Sequence, residues 1–390
     1  MKVWIAISAA AIVLFSFSPK GWSQSEEVLY AFSGGADGGT PYSTLTFDSS
    51  GNLYGTTFNG GAGAGAVYEL SSASGTWKET VLFSFNGTDG YGPYGGVVFD
   101  REGNLYGTTT GGGAHGSGTV YELKRTSNGL WKEAVLHSFE GSQGGDAPEG
   151  NLVFDDAGNL YGTTFYGGKY GKGMAWRLSP NSRGGWTSRI LHSFGSGTDG
   201  ANPSAGVILD SEGNAYGTTW IGGENNAGVI FELAPTPASP WKERILYNFS
   251  GIGSAGGLIF DAQGNLYGTS FENLVFKLMK SSGDKWVESS LASVENGPES
   301  TLVFDTAGNL YGTTLDGGTS EMGSVFELSP ATGDTWTQTL LYSFVGGSDG
   351  SRADVGLTLD SAGNLYGTTY AGGGTGCGGS GCGVVFQVKP

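Results

Sequence analysis

Three histidines, His115, His137 and His192, are all the imidazoles this sequence offers for acid–base or metal chemistry. His137 and His192 share one position of an internal repeat, where other units carry Phe83, Tyr247 and Tyr342. That position asks for a flat ring. No His/Cys cluster has the spacing of a metal site. Neither a Gly-x-Ser-x-Gly elbow nor a Gly-x-x-x-x-Gly-Lys-Ser/Thr phosphate loop occurs. The expectation is no catalytic residue, no metal and no cofactor. The two cysteines, Cys377 and Cys382, flank Gly-Gly-Ser-Gly. In an oxidising compartment such a pair forms a disulfide.

Carboxylates form two recurring series. Asp48, Asp100, Asp155, Asp210, Asp261, Asp305 and Asp360 open the pattern Asp-x-x-Gly-Asn. One carboxylate per loop is too few for calcium, which takes about 6–8 oxygens, whereas an Asp that accepts from the N–H groups ahead of it builds a tight turn. Asp37, Asp89, Asp146, Asp199 and Asp349 lie in glycine-rich loops, and four of them read Asp-Gly. Turn chemistry and ligand contact are both open for these five. A residue following Thr-Thr or Thr-Ser is aromatic in five units: Phe58, Phe165, Trp220, Phe271 and Tyr370. Packing suits the group, with Trp220 and Tyr370 the candidates for stacking on a sugar. The candidate ligand-binding set is therefore the five loop aspartates with Trp220 and Tyr370. A hydrolase would instead need to bring together carboxylates outside the repeat, of which Glu149, Glu224, Asp316, Glu321 and Asp354 are the candidates.

The elements that must position these residues come from a tandem repeat. Gly-Asn-Leu-Tyr-Gly-Thr-Thr, with small variations, starts at Gly51, Gly103, Gly158, Gly213, Gly264, Gly308 and Gly363, about 52 residues apart. Each unit holds four runs rich in Val, Leu, Phe, Tyr and Thr. In the second unit they are 96–100, 104–109, 119–123 and 131–139. Seven such units predict an all-β, seven-bladed β-propeller of four-stranded blades. We letter the strands A to D from the channel outward. The segment 26–32 matches a D run and 384–388 a C run, so the N-terminal strand is expected to complete the last blade and close the ring. Trp77, Trp131, Trp186, Trp241, Trp286 and Trp336 open D runs and are expected to pack between blades. The B–C loop of unit five shrinks to 271–273, which predicts a notch in the rim.

Residues 1–23 read as a secretory signal: Lys2, then an uncharged, largely apolar run over 3–17, and small residues Gly21 and Ser23 before a cleavage point. The run is shorter than the ~20 residues of a membrane span. Residues 24–390 are expected to form a single exported propeller with no membrane segment, and a closed ring is expected to be a monomer. The 74 glycines concentrate in the loops of one face, and the net charge is −17. An acidic field repels nucleic acid and anionic polymers. It permits neutral glycans and proteins.

The unit Leu-x-Ser-Phe, a Gly/Asp-Gly loop, a Val-rich strand ending in Asp, Gly-Asn-Leu-Tyr-Gly-Thr-Thr, Gly-Gly and Gly-x-Val-Phe-Glu-Leu resembles the GloVer tandem repeat over almost all of 26–390. That family implies an exported bacterial protein of the "choice-of-anchor" kind and implies no particular activity. The hairpin is also similar to NHL-type propeller repeats. Here the sequence stops at Pro390 without a sorting segment, so free release or periplasmic retention is expected rather than surface attachment. The function this reading expects is a non-catalytic scaffold binding a glycan or an envelope or extracellular protein on its acidic, glycine-rich face. The alternative is a secreted propeller enzyme, such as a polysaccharide hydrolase or lyase or a lactonase-like hydrolase.

Overall fold

The computed structural model describes residues 25–73, 75–236, 241–251, 253, 256–281, 285–333 and 335–390, so the expected leader at 1–23 lies outside the described residues. Seven four-stranded antiparallel sheets follow one another along the chain as the blades of a propeller. Blade 2 is typical, with strands Val98–Phe99, Leu105–Thr109, Thr119–Arg125 and Trp131–Ser138. Strand A is two residues long in every blade, shorter than the sequence pattern predicts. The residues just ahead of it approach the adjacent blades instead: a Cβ on Gly96 would lie 2.5 Å from the Thr44 carbonyl oxygen, and one on Gly206 closer still to that of Asn151.

The last blade consists of Thr358–Leu359, Leu365–Thr369, Val384–Val388 and the N-terminal Glu26–Ala31. Glu26 pairs with Val388 and Ala31 with Val384, so the borrowed outer strand is antiparallel and in register. Closure also runs around the channel. The first Thr of the motif donates its hydroxyl to a carbonyl at the start of the next blade: Thr56 to Gly95 (3.1 Å), Thr163 to Ala205 (2.8 Å), Thr313 to Val355 (3.0 Å). The last of these stitches, Thr368 to Ser43 at 3.3 Å, joins blade 7 to blade 1.

Each element of the repeat motif has a separate physical reason. Asp48 Oδ1 accepts from the N–H groups of Ser50 and Asn52, and Oδ2 from the Asn52 amide and the Tyr54 hydroxyl. The same four bonds recur in all seven turns, Asp360 included. The turn glycine, such as Gly213 at φ 81°, sits in the left-handed region with open space around its Cα. The second motif glycine is there for volume. Gly217 pairs with Phe231 across strands B and C, and a Cβ on Gly217 would lie 2.5 Å from the ring. The six equivalent glycines likewise face Tyr68, Tyr121, Trp176, Phe276, Phe326 and Phe386. Gly217→Ala is therefore expected to cost about 1–3 kcal/mol by overpacking, read as a lower denaturation midpoint. An unchanged midpoint would refute this account of the motif.

Core clusters form between blades rather than within them. One joins Tyr161, Leu191 and Phe194 of blade 3 to Phe231, Leu233 and Trp241 of blade 4. The tryptophans that open strand D pack on the motif tyrosine of the preceding blade, as Trp241 does on Tyr161 (6.0 Å) and Trp77 on Tyr366 across the closure (6.3 Å). Sulfur–sulfur bonding joins Cys377 to Cys382. No helix among the described residues is long and apolar enough to cross a membrane.

Candidate functional site

One position of the repeat builds the mouth of the channel. It lies six residues before the turn aspartate, just ahead of strand A, and is Tyr42, Tyr94, Glu149, Ser204, Glu299 and Asp354 in six blades. The fifth-blade equivalent, residue 255, lies outside the described residues. A proline precedes five of these six, fixing the backbone just ahead of the position; Asp354 follows Ala353 instead. All six line a cavity of about 520 Å³, together with Phe165, Trp220 and Phe271 from the residues that follow the Thr pair. Gly95, Gly150, Gly206 and Gly256 also line it, and there the backbone of an adjacent blade approaches too closely for a side chain.

Aromatic rings and carboxyls alternate around the mouth. Tyr42 stacks on Tyr94 with centroids 4.8 Å apart and planes at 20°. Tyr370 leans on Tyr42 at 4.9 Å, and Phe58 meets it edge-on at 6.1 Å. Phe165 and Trp220 form a second aromatic wall, 5.9 Å apart, and Trp220 is 41% exposed. Between them stand the carboxyls: Glu149 and Asp354 come from the blades on either side of the Tyr42/Tyr94 pair, and Glu299 from blade 6. Burial pushes Glu149 up to about 7. Burial, then Asp354 and Asp316, push Glu299 up to about 7. Asp354 rises to about 6 through burial, against the pull of its own backbone and of Arg352, and its Oδ1 is buried without a hydrogen-bond partner. Burial, and then Asp354, Glu149 and Glu299, hold the Tyr94 hydroxyl protonated well above its usual range. The three acids and Tyr94 thus face one space, and no Lys, Arg or His is among the described lining residues.

The sequence-predicted residues divide. Trp220 lines the cavity and Tyr370 joins its tyrosine cluster. None of the five loop aspartates lines it. Asp37 accepts from Tyr30 and the Ser33 backbone, Asp89 from Asn86, Asp199 from His192, Gly195 and Ser196, and Asp349 from Tyr342 and the Val345 backbone. Asp146 stands two residues before its proline rather than four, and its backbone pairs with Tyr166. Of the candidate hydrolase acids, Glu149 and Asp354 meet at the mouth, while Glu224, Asp316 and Glu321 are exposed on the rim. Glu299, Tyr42 and Tyr94 escaped the sequence reading, whose binding set came from residues that recur and whose candidate acids outside the repeat did not include Glu299. The available signal was the reverse: a position that varies from blade to blade inside an otherwise constant frame.

A second cluster also escaped it. His192 Nε2 lies 3.1 Å from Asp199 and 3.7 Å from Glu243, which the next blade supplies. The three groups have ligand-type atoms within 4.8 Å of one another.

Among solved structures the chain is similar to the extracellular domain of a protein described as a hybrid two-component system from B. thetaiotaomicron, at 12% identity and a TM-score of 0.56. It covers 94% of this chain and 41% of that one, so the match spans less than half of that protein. A Thermus thermophilus oxidoreductase described as a glucose dehydrogenase matches at 16% identity and a TM-score of 0.47, covering 94% of this chain and 100% of that one. A Xanthomonas campestris gluconolactonase matches at 15% identity and a TM-score of 0.45, covering 94% and 89%. At these identities the likeness is one of fold. No curated protein matches the sequence. The model of the Gloeobacter/Verrucomicrobia repeat matches residues 8–196, 129–274 and 176–386. With the repeat accounting for nearly every blade, the chain belongs to the Gloeobacter/Verrucomicrobia repeat family.

Proposed function

We propose that the protein is an exported, non-catalytic propeller that binds a neutral glycan in the channel mouth. The observation that carries this reading is the pairing of stacked rings at Tyr42 and Tyr94 with three carboxyls in one cavity. Aromatic faces suit the apolar face of a pyranose, and carboxyls bond its hydroxyls. The absence of a basic group from the described lining disfavours an anionic ligand. The leader-like segment 1–23 and the disulfide support export.

A hydrolase is the second reading, favoured by Glu299 and Asp354 facing one cavity. Acid–base pairs work when their environments push the two groups apart, one kept protonated and the other ionised. Here burial pushes Glu149, Glu299 and Asp354 in the same direction. That arrangement favours holding over cleaving.

Retention on a panel of insoluble neutral polysaccharides, followed by calorimetry with soluble fragments, tests the reading. The wild type is expected to bind at least one. Tyr42→Ala/Tyr94→Ala is expected to bind it roughly ten- to a hundredfold more weakly, at about 0.5–1.5 kcal/mol per aromatic contact. No binding by the wild type, or equal binding by the variant, would sink the proposal.

A further inference from the structure

The aromatic surface of the channel mouth continues beyond its cavity. Tyr91 and Tyr166 stand outside the lining and are 41% and 50% exposed. Each is joined to the mouth through one other ring. Phe58 lies 6.4 Å from Tyr94 and 5.9 Å from Tyr91, edge-on to both. Phe165, which lines the cavity, meets Tyr166 edge-on at 4.7 Å. Rings therefore run outward from the mouth over blades 2 and 3.

The fold does not ask for either tyrosine. Both sit where the loop entering a blade pairs, backbone to backbone, with the loop between strands B and C. Tyr91 pairs there with Gly111, and Tyr166 with Asp146. The same pairing is made by Gly39 with Asn59 in blade 1, by Ala201 with Ile221 in blade 4 and by Ser351 with Ala371 in blade 7. Backbone hydrogen bonds suffice in each case, so a ring adds nothing to the pairing. A single exposed apolar side chain is ordinary on a protein surface. Two on neighbouring blades, both continuous with a cavity, form a patch of the kind that marks a binding surface.

The loops are shortest on the facing side of the ring. In a ring of seven, blade 2 faces the boundary between blades 5 and 6. Strands B and C of blade 5 are joined by 271–273, where blade 2 uses 110–118. The loop entering blade 6 is 294–302, where that entering blade 7 is 344–357. The notch expected from the sequence thus lies across the mouth from Tyr91. A site walled all round selects a chain end or a small sugar. A site that is open on one side and carries rings out over the other suits a chain that passes through.

We propose, resting on the glycan reading of the mouth, that the mouth is the middle of a cleft from blades 2 and 3 to the notch, and that its ligand is an internal stretch of a long neutral polysaccharide. Tyr91 and Tyr166 are its outer stacking positions. Short fragments fill the cavity alone, and only longer ones reach the outer rings.

Calorimetry of the full chain with gluco-, xylo- and manno-oligosaccharides, each as dimer, tetramer and octamer, tests this. In a series that binds, affinity is expected to rise about fivefold or more from dimer to octamer, since each outer ring supplies about two- to tenfold. Tyr91→Ala/Tyr166→Ala is expected to remove most of that rise and to keep dimer binding. Tyr91→Phe/Tyr166→Phe preserves the ring faces and is expected to preserve the rise. Octamers with the reducing end converted to an alditol are expected to bind as intact ones do. Both tyrosines are exposed, so the variants are expected to melt with the wild type; should the double Ala variant not fold, the single changes carry the same comparison. Equal affinity for dimer and octamer, or a rise that the Ala variant keeps, overturns the cleft and leaves the mouth a small-sugar site. Weaker binding of the alditol-ended octamer overturns the internal stretch in favour of a chain end. No binding in any series strikes the glycan reading itself, and the cleft with it.

Discussion

A chain lacking residues 24–32 is expected to lose at least about 5 kcal/mol of stability, with a matching fall in the guanidinium midpoint and a tendency to associate. Leu29 is 7% exposed and Phe32 3%, and both belong to the cluster that joins blades 7 and 1. Phe32 meets Tyr68 of blade 1 edge-on at 5.1 Å. Removing buried side chains of these sizes costs about 2–5 and 3–5 kcal/mol. Deletion would also leave Val384–Val388 as an unpaired edge. Thr368 still reaches Ser43 around the channel, so the damage falls on the outer half of the seam. Phe32→Ala alone is expected to cost about 3–5 kcal/mol. An unchanged midpoint for the truncated chain would mean that the ring does not depend on its borrowed strand.

Asp210→Ala is expected to cost about 2–3 kcal/mol, the worth of one or two charge-assisted hydrogen bonds. Its carboxylate accepts from the Glu212 and Asn214 N–H groups, the Asn214 amide and the Tyr216 hydroxyl. Truncation leaves a buried tyrosine hydroxyl short of its acceptor. Burial works against ionisation of these aspartates, but the hydrogen bonds outweigh it and hold all seven below the usual range. A depressed carboxyl contributes stability that is present above about pH 3.8 and is lost as pH falls through its folded value. Glu26, Glu79, Glu133 and Glu243 and the three channel acids, all raised chiefly by burial, act oppositely at higher pH. Stability is therefore expected to peak on the acid side of neutrality and to collapse below about pH 3.5, as a series of melting curves across pH 2.5–8.5 would show. A midpoint that climbs steadily up to pH 8 would contradict the sign assigned to the raised acids, and one that does not fall in acid would contradict that of the turn aspartates.

The architecture was legible because the repeat is. Asp-x-x-Gly-Asn specifies a turn by local hydrogen bonding alone, and alternation of Leu, Tyr and Thr specifies a strand. The closing strand was legible from the offset of the two ends against the unit. What stayed hidden depends on neighbours about 50 residues away. The second motif glycine reads as one more residue of a strand motif until Phe231 or Trp176 is seen across the ladder. The first motif threonine reads as a strand former until its hydroxyl is found on the next blade. Asp37 reads as a possible ligand contact, but both its oxygens accept from Tyr30 and Ser33, while Asp349 gives Oδ2 to Tyr342 and the Val345 N–H and buries Oδ1 without a partner. The channel mouth was hardest to read, because Tyr42, Glu149, Ser204 and Asp354 have no common chemistry. They share only a place, six residues before the turn.

That place carries the functional claim, and whether it holds or cleaves can be measured directly. The glycan retained by the wild type should be incubated with the protein at pH 5–7 and its new reducing ends and unsaturated ends counted over time. Continued binding with no bond cleavage is the result expected of a propeller whose channel acids all shift the same way. Cleavage by the wild type that disappears in Glu299→Gln or Asp354→Asn, with binding kept, would contradict it and make the mouth an active site.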